Sequence, residues 1–110
     1  MIKSLVTGGA GFIGSNLVDF LVKKNHKVIV LDNLSTGRLS NLSRHKKNVK
    51  IIKIDISKKK NIEKYFRQVD FVFHLAGIAD IVPSIENPKK YFDSNVIGTL
   101  NVLQSINKNK

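Results

Sequence analysis

The sequence predicts an α/β fold, a parallel sheet with helices on both faces, and three observations carry this prediction. Short apolar runs alternate with amphipathic stretches at the spacing of strand–helix–strand units. The first such unit, residues 2–32, has a glycine-rich turn between its strand and its helix. The chain, at 110 residues, has the length of one small domain that can bury a core. Right-handed crossovers then give the strand order 3-2-1-4.

The first unit consists of an apolar run, an amphipathic stretch and a second apolar run. Strand Ile2–Val6 leads through the glycines into a helix from Phe12 to about Lys24, and strand Lys27–Leu31 follows. The second strand is nearly all β-branched or apolar, as in a strand buried on both faces. Asn25 stands where the helix stops, a position that suits a C-terminal cap. The apolar face of the helix is expected to comprise Ile13, Leu17, Val18, Phe20 and Leu21.

The rest of the chain predicts two further strands and the helices that connect them. Ser57 suits the N-cap of the helix after the third strand, and Pro88 suits the first turn of the last helix. In the helix after the third strand, Ile62, Tyr65 and Phe66 are expected to point inward. The predicted ranges are a short helix over 39–45, strand 49–54, helix 58–68, strand 69–75, a loop or short helix over 78–87 and a helix over 88–106.

A glycine-rich turn, Gly9-x-Gly11-x-x-Gly14, joins the first strand to the first helix. Gly9 and its neighbour Gly8 allow a sharp turn at which a side chain would clash or need a positive φ. Gly11 lets the backbone approach a pyrophosphate, and Gly14 lets the helix lie close on the strand. The same turn could also be a tight connection that binds no ligand, so its surroundings decide between the two interpretations.

Three features around the turn favour a dinucleotide site in a Rossmann-type sheet. A strand precedes the turn, a helix opens inside it, and Asp32 ends the next strand about 20 residues further on. The first free N–H groups of the helix, near Gly11 to Ile13, would point at the phosphates, where the helix dipole favours negative charge. Asp32 can accept hydrogen bonds from both hydroxyls of the adenosine ribose. It would also repel a 2′-phosphate, so NAD is favoured over NADP, although Arg38 could partly restore NADP binding.

The composition excludes several kinds of protein. The chain has no cysteine, which excludes disulfides, thiolate metal sites and a thiol nucleophile. No apolar run approaches the roughly 18 residues of a membrane helix, and the apolar start lacks the basic region of a signal peptide. We therefore expect a cytoplasmic protein with no membrane association and no metal site.

The charge balance is strongly basic, with 19 lysines and arginines against 8 acids and a formal net charge of +11. One interpretation is an electrostatic footprint for nucleic acid. The lysines, however, occur in small groups on predicted helix ends and loops rather than in one stripe, and no aromatic residue interleaves them. We therefore expect a lysine-rich solvated surface and no nucleic-acid partner. A basic nucleic-acid-binding domain is the less favoured alternative.

Five segments carry a further signal: Thr7–Gly14, Asp32–Gly37, Asp55-Ile56, His74–Gly77 and Asn95–Thr99. In this order they resemble five motifs of the extended short-chain dehydrogenases/reductases, from the cofactor fingerprint to the Asn-Val-x-Gly-Thr helix signature. That family includes NAD-dependent nucleotide-sugar epimerases and dehydratases, and the second segment is similar to that of UDP-glucose 4-epimerase-like members. The resemblance implies NAD as the cofactor. It implies cofactor contacts from Gly8, Gly11, Phe12, Ile13, Gly14, Asp32, Asn33, Ser35, Thr36, Gly37, Asp55, Ile56, Leu75, Ala76, Gly77 and Asn95.

The resemblance also implies where the catalytic groups lie. Family members use a Ser or Thr after the fifth strand and a Tyr-x-x-x-Lys pair on the following helix to move protons while NAD receives a hydride from the sugar. Tyr65 and Tyr91 are the two tyrosines here, and Val69 and Asn95 stand four positions after them. No catalytic residue is therefore expected. The chain resembles the NAD-binding N-terminal part of an epimerase or dehydratase, truncated before the fifth strand and without its substrate domain. A non-catalytic dinucleotide-binding module is the alternative.

Two surfaces are candidate contacts with other protein copies. Family members often dimerise through the helix that corresponds to 88–106, so the resemblance implies a homodimer, and a nucleotide-sugar substrate, for a complete enzyme. Without a fifth strand, residues 71–75 would form an exposed apolar edge, which favours self-association. The apolar residues near one face of the last helix are Phe92, Val96, Leu100 and Leu103.

Four polar residues keep a structural interpretation beside the functional one. His74 could serve as a base, but no acid or nucleophile is paired to it, so a structural histidine is favoured. Asp55 is open to the adenine contact that the resemblance implies and to capping the next helix. For Asn95 a buried structural hydrogen bond is favoured, because asparagine disfavours helix interiors. Ser84 could approach the substrate or cap the short helix before Pro88.

Overall fold

The computed structural model describes residues 1–43, 47–58, 62–78 and 81–109. Four parallel strands form one sheet in the order β3-β2-β1-β4, which confirms the predicted class and strand order. The strands are β1 Lys3–Thr7, β2 Lys27–Asp32, β3 Val49–Lys53 and β4 Phe71–His74. The helices are α1 Phe12–Lys23, α2 Ile81–Glu86, α3 Pro88–Tyr91 and α4 Gly98–Lys108, with a π-helical segment Phe92–Ile97 between the last two.

Parallel pairing brings the carboxyl ends of the four strands to one edge of the sheet. Thr7 at the end of β1 lies opposite Leu31 of β2 and His74 of β4. Asp32 at the end of β2 lies opposite Lys53 of β3. The turns that leave these ends therefore lie side by side, which is where ligands bind in open α/β sheets.

Two apolar clusters, one on each face of the sheet, form the core. Val18 and Leu21 of α1 belong to one cluster, and Val102 of α4 belongs to the other. Fully burying a side chain of this size stabilises the fold by about 1.5–3 kcal/mol. Five of the six residues of β2 are buried, which confirms that this strand is covered on both faces.

The end of α1 confirms the predicted role of Asn25. This residue has a φ of 64°, in the left-handed region that asparagine tolerates. Its N–H donates to the Val22 carbonyl at 3.0 Å, and the N–H of His26 donates to the Leu21 carbonyl at 3.0 Å. These two bonds form a Schellman motif, which satisfies carbonyls that would otherwise be left without partners.

The predicted inward face of α1 is partly wrong. Ile13 is 72% exposed and Phe20 is 55% exposed, whereas Val18 and Leu21 are buried as expected. The helix is rotated so that Gly14 faces the turn before it, and this rotation carries Ile13 and Phe20 outward.

The helix predicted over 58–68 is wrong for the part of it that the structure describes. After β3, the Asp55 carboxylate accepts hydrogen bonds from the N–H and hydroxyl of Ser57, at 2.9 and 2.7 Å, so these residues form a turn instead of a cap. Only a short 3₁₀ turn, Glu63–Phe66, follows among the described residues, and it stops where Gln68 adopts a φ of 58°. Ile62 and Phe66 are nevertheless buried, and Tyr65 packs against the same cluster.

The helix predicted over 88–106 is present as α3, the π-helical segment and α4. Pro88 occupies the first turn as expected, and Asn87 caps it by accepting from the N–H of Lys90 at 3.4 Å. Ser84 lies inside α2, so it does not cap that helix. The short helix predicted over 39–45 is a 3₁₀ turn, Leu39–Leu42, and positions 44–46 lie outside the described residues.

The edge of the sheet formed by β4 carries exposed apolar surface. Within the described residues, no strand pairs with the outer side of β4. Phe71 on this strand is 51% exposed and stacks on His26, with ring centroids 6.3 Å apart. The predicted apolar edge is therefore present, and the self-association expected from it stays a prediction.

Candidate cofactor site

An open cleft lies along the carboxyl edge of the sheet, among the turns that follow the four strands. It encloses about 590 Å³, including space open to solvent. The predicted cofactor residues that line it are Gly8, Gly11, Asp32, Asn33, Ser35, Thr36, Asp55, Ile56, Leu75, Ala76 and Gly77. The structure thus brings four strand ends and the turns that follow them, far apart in sequence, to one surface.

The glycine turn is required by the fold at three of its positions. Gly8 has a φ of 69°, and a Cβ there would lie 2.8 Å from the Ala76 nitrogen. A Cβ at Gly9 would lie 2.8 Å from the Val30 side chain. A Cβ at Gly14 would overlap the Gly8 carbonyl oxygen, so the close approach that Gly14 permits is to the turn rather than to the body of the strand.

Gly11 is different, because the fold itself leaves room for a side chain there. Among the described residues, a Cβ at Gly11 would meet only the Gly8 carbonyl oxygen, at an ordinary contact distance of 3.4 Å. Its backbone is extended, with φ −75° and ψ 178°, which any residue adopts. Gly11 lines the cleft. A glycine at this position therefore serves close approach by a ligand better than it serves the turn.

The first turn of α1 offers backbone donors beside the glycine turn. Among the described residues, the N–H groups of Phe12, Ile13 and Gly14 have no protein acceptor, and no side chain caps the helix. The N–H of Gly11 is not free as predicted, because it donates to the Gly8 carbonyl at 3.2 Å. Three donors at a helix N-terminus suit an anion.

Asp32 lies at the end of β2 and is 8% exposed. Its Oδ2 accepts from the Ala10 N–H at 3.0 Å, and its Oδ1 accepts from the Leu34 N–H at 2.7 Å. Each carboxylate oxygen has two lone pairs, so each can accept one further hydrogen bond. This arrangement suits the two hydroxyls of a ribose.

The turn after β3 brings Asp55 and Ile56 to the cleft. The hydrogen bonds that Asp55 accepts from Ser57 fix the turn without excluding the carboxylate from the cleft. Asp55 therefore caps no helix among the described residues, and its contact with the adenine stays a prediction. Ile56 is buried, and its carbonyl accepts from the Nδ2 of Asn101 at 2.9 Å. The buried polar group of Asn101 thereby anchors this turn to α4.

A hydrogen-bond chain through His74 holds the turn after β4. The Thr99 hydroxyl donates to the Asn95 carbonyl, at 2.6 Å, so it accepts from His74 Nε2–H at 2.8 Å. His74 Nδ1 then accepts from the Thr7 hydroxyl at 2.6 Å, and Thr7 in turn accepts the N–H groups of Leu75 and Ala76 at 3.1 Å. Burial lowers the pKa of His74 below its ordinary 6.5, which fits this neutral tautomer. The structural interpretation of His74 is therefore favoured by the geometry.

Asn95 secures the same turn from the helix side. Its Nδ2 donates to the Ile78 carbonyl and its Oδ1 accepts from the Ile78 N–H, both at 2.9 Å. The bonds are structural as expected, but Asn95 is exposed rather than buried. Asn95 does not line the cleft, and neither do Phe12, Ile13, Gly14 and Gly37. A direct cofactor contact by these side chains stays a prediction.

Among the described residues, four that the sequence did not single out also line the cleft: Leu31, Ile54, Ile78 and Ser94. Each stands next to a predicted residue in the chain, which is the one signal that could have found them. Asn41 was missed as well, because it acts on the backbone of the glycine turn from outside the cleft; its Nδ2 donates to the Ala10 carbonyl at 2.8 Å.

The basic residues are less scattered than the sequence suggests. At the amino edge of the sheet, opposite the cleft, two adjoining grooves are lined by Lys3, Lys27, Lys47, Lys50, Lys64 and Arg67. The absence of a nucleic-acid partner stays a prediction. Within the described part of the chain, no group of three or more His, Asp or Glu side chains could hold a metal ion. None of the helices described reaches the length and apolar character that crossing a membrane requires.

Comparison with known families and proteins agrees with this geometry. The sequence model of the NAD dependent epimerase/dehydratase family matches residues 4–110. A UDP-N-acetyl-alpha-D-glucosaminuronate decarboxylase of Bacillus cytotoxicus is 39% identical over 108 residues, which are 98% of this chain and 34% of that protein.

Two solved structures show the same fold. A UDP-N-acetylglucosamine 4-epimerase of Methanobrevibacter ruminantium, in complex with UDP-N-acetylmuramic acid, is 38% identical with a TM-score of 0.90, over 98% of this chain and 34% of that one. A UDP-glucose 4-epimerase of Thermus thermophilus, in complex with NAD, is 38% identical with a TM-score of 0.87, over 97% and 34%. The chain thus spans about a third of the length of these relatives.

Proposed function

Because the chain belongs to the NAD-dependent epimerase/dehydratase family, we propose that it binds NAD in the cleft at the carboxyl edge of the sheet. The observation that carries the proposal is Gly11, a glycine that the fold does not need and that lines the cleft. The free N–H groups at the start of α1 lie next to Gly11, and the Asp32 carboxylate, which can accept two further hydrogen bonds, lines the same cleft. The complex of the Thermus thermophilus relative with NAD supports the same cofactor.

The residues of the cleft fit the parts of a dinucleotide. The N–H groups of Phe12, Ile13 and Gly14 hold the pyrophosphate, where the positive end of the helix dipole stabilises its charge. The free lone pairs of Asp32 accept from the ribose hydroxyls. The turns around Ile56 and Ala76 form the walls on either side, held by Asn101 and by the Thr7–His74 chain.

The reaction we propose is that of the family, on a nucleotide sugar. NAD, when bound, supplies the acceptor for a hydride from the sugar. The relatives named above are two 4-epimerases and a decarboxylase acting on UDP-sugars, which supports a UDP-sugar as the substrate class of a complete enzyme. The contribution of this chain is to bind and orient the cofactor; its own residues supply no proton transfer.

We propose that the 110-residue chain alone turns over no substrate. Neither Tyr65 nor Tyr91 is followed by a lysine four positions on, because Val69 and Asn95 stand there. The same observation supports a second candidate function, a non-catalytic module that binds a dinucleotide. The two candidates agree on NAD binding and differ in whether a Tyr-x-x-x-Lys pair belongs to the same protein.

A homodimer through the last helix is also part of the proposal. Phe92, Val96, Leu100 and Leu103, which share one face, are between 47% and 58% exposed. The opposite face of the helix packs on the sheet through Val102. An apolar stripe of this kind on a helix that is already packed on its other side suits a second copy of the chain.

A cytoplasmic location stays a prediction, which fractionation of the source cells tests.

Calorimetric titration of the folded chain with NAD and with NADP tests the proposal. We expect saturable binding of NAD, weaker binding of NADP, and loss of NAD affinity in an Asp32→Ala variant. Glu86→Ala is the matched control, because it removes an exposed acid that does not line the cleft. Equal affinity of the wild type and Asp32→Ala for NAD would contradict the proposed site.

A further inference from the structure

The backbone N–H and carbonyl of Ala10, in the middle of the glycine turn, both form hydrogen bonds with the end of β2 and the loop that follows it. The Ala10 N–H donates to Oδ2 of Asp32 at 3.0 Å. The Ala10 carbonyl accepts from the Arg38 N–H at 3.0 Å and from the Nδ2 of Asn41 at 2.8 Å. Ala10 is fully buried. The loop after β2 therefore holds the glycine turn in place. The glycine turn, through the Ala10 N–H, holds the Asp32 carboxylate.

The same loop also contacts the Asp32 carboxylate. Leu34 holds a φ of 62°, which is strained for leucine, and this conformation aims its N–H at Oδ1 from 2.7 Å. The backbone at Gly37 passes so close that a Cβ there would lie 2.8 Å from Oδ2 and 2.9 Å from the Ala10 carbonyl carbon. The N–H groups of Ala10 and Leu34, together with the nearby backbone at Gly37, therefore hold the carboxylate in one orientation.

Asn41 is the side chain that ties this arrangement together. It lies in the 3₁₀ turn Leu39–Leu42, where its N–H donates to the Arg38 carbonyl at 3.0 Å and the neighbouring Leu42 is 2% exposed. The turn is thus anchored in the core, and Asn41 reaches from it to the Ala10 carbonyl. Asn41 does not itself line the cleft.

We propose that Asn41 is a positioning residue for the adenosine ribose, acting through the Ala10 peptide on Asp32 and so favouring NAD over NADP. The inference rests on the proposed binding of NAD. A carboxylate held in one orientation keeps its free lone pairs toward the ribose hydroxyls. The same fixed orientation keeps the negative charge of the carboxylate close to the position of a 2′-phosphate, which it repels. A carboxylate that was free to rotate would repel the 2′-phosphate less. Loss of the Asn41 bond therefore weakens NAD and relieves the exclusion of NADP.

An Asn41→Leu variant tests the proposal, because leucine has nearly the same shape but cannot donate a hydrogen bond. We expect its NAD dissociation constant to rise about three- to tenfold, as for the loss of one ordinary hydrogen bond. The NADP dissociation constant should stay unchanged or fall. The ratio of the NADP to the NAD dissociation constant, which measures the preference for NAD, should therefore decrease. Asn109→Leu is the matched control, since it removes an amide that donates to the Ser105 and Glu63 carbonyls at the end of α4, away from the cleft.

A double-mutant cycle separates this role from a merely structural one. In an Asp32→Ala background, Asn41→Leu should change NAD affinity less than about twofold, because coupled residues are not additive. An equal loss in both backgrounds, or an unchanged cofactor ratio in the single variant, overturns the proposal. If Asp32→Ala binds too weakly for titration to millimolar NAD, the cofactor ratio alone decides. Wild-type protein that binds no NAD refutes the proposed function, whereas normal binding by Asn41→Leu refutes this inference alone.

Discussion

Two alanine substitutions in the glycine turn should have opposite consequences. In Gly14→Ala the new Cβ overlaps the Gly8 carbonyl oxygen and lies 2.8 Å from the Gly9 Cα, so backbone must move. Overpacking of this kind costs about 1–3 kcal/mol. Because 1 kcal/mol changes the Tm of such a domain by about 4–8 °C, we expect the Tm to fall by at least about 4 °C.

In Gly11→Ala the backbone is extended, and within the described part of the chain the new Cβ meets only the Gly8 carbonyl oxygen, at 3.4 Å. Losing glycine at an N-cap costs less than about 1 kcal/mol, and the stiffer unfolded chain returns about 0.4–1 kcal/mol. The Tm should therefore stay within about 4 °C of the wild type. NAD affinity should nevertheless fall at least about tenfold, and further in Gly11→Val, because the side chain occupies the place of the pyrophosphate.

Thermal melts by circular dichroism and calorimetric titration with NAD measure both effects. Ser43→Ala serves as a control on the exposed end of the 3₁₀ turn. A Gly11→Ala variant that binds NAD as the wild type does would show that the glycine serves no ligand. A Gly14→Ala variant that melts as the wild type does would equally show that the turn does not require glycine there.

The remaining predictions concern His74, the last helix and the basic edge. Burial lowers the pKa of His74, so the unfolded chain takes up a proton first and the free energy of unfolding should fall as the pH drops below 6.5. Urea titrations at several pH values should show that the free energy of unfolding depends less on pH in His74→Asn than in the wild type. Leu100→Glu should shift the sedimentation equilibrium from dimer to monomer, and an unchanged profile would count against the helix interface. A labelled oligonucleotide should dissociate from the protein at physiological salt; retention there would favour the nucleic-acid alternative.

The sequence predicted well those features that depend on local pattern. β2 is apolar at nearly every position and is buried, and the glycine motif sits between its strand and helix as its spacing requires. The turn at Asn25 follows from the tolerance of asparagine for a positive φ. These features need no knowledge of distant residues.

The errors arise where distant contacts decide the local structure. The helix expected after β3 is replaced by the Asp55–Ser57 turn and the reversal at Gln68, which short-range apolar spacing does not reveal. Ile13 is exposed because Gly14 must face the turn. Asn41 was overlooked because it contacts Ala10, a residue 31 positions away, and nothing local marks that contact.

Amide chemical shifts of the ¹⁵N-labelled protein, followed during a titration with NAD, show which edge of the sheet the dinucleotide contacts. We expect the largest shifts at the amides of Phe12, Ile13 and Gly14 and at Asp32, with little change at Lys50 on the amino edge of the sheet. Shifts confined to the amino edge, or none up to millimolar NAD in a folded protein, would contradict a dinucleotide site at the carboxyl edge.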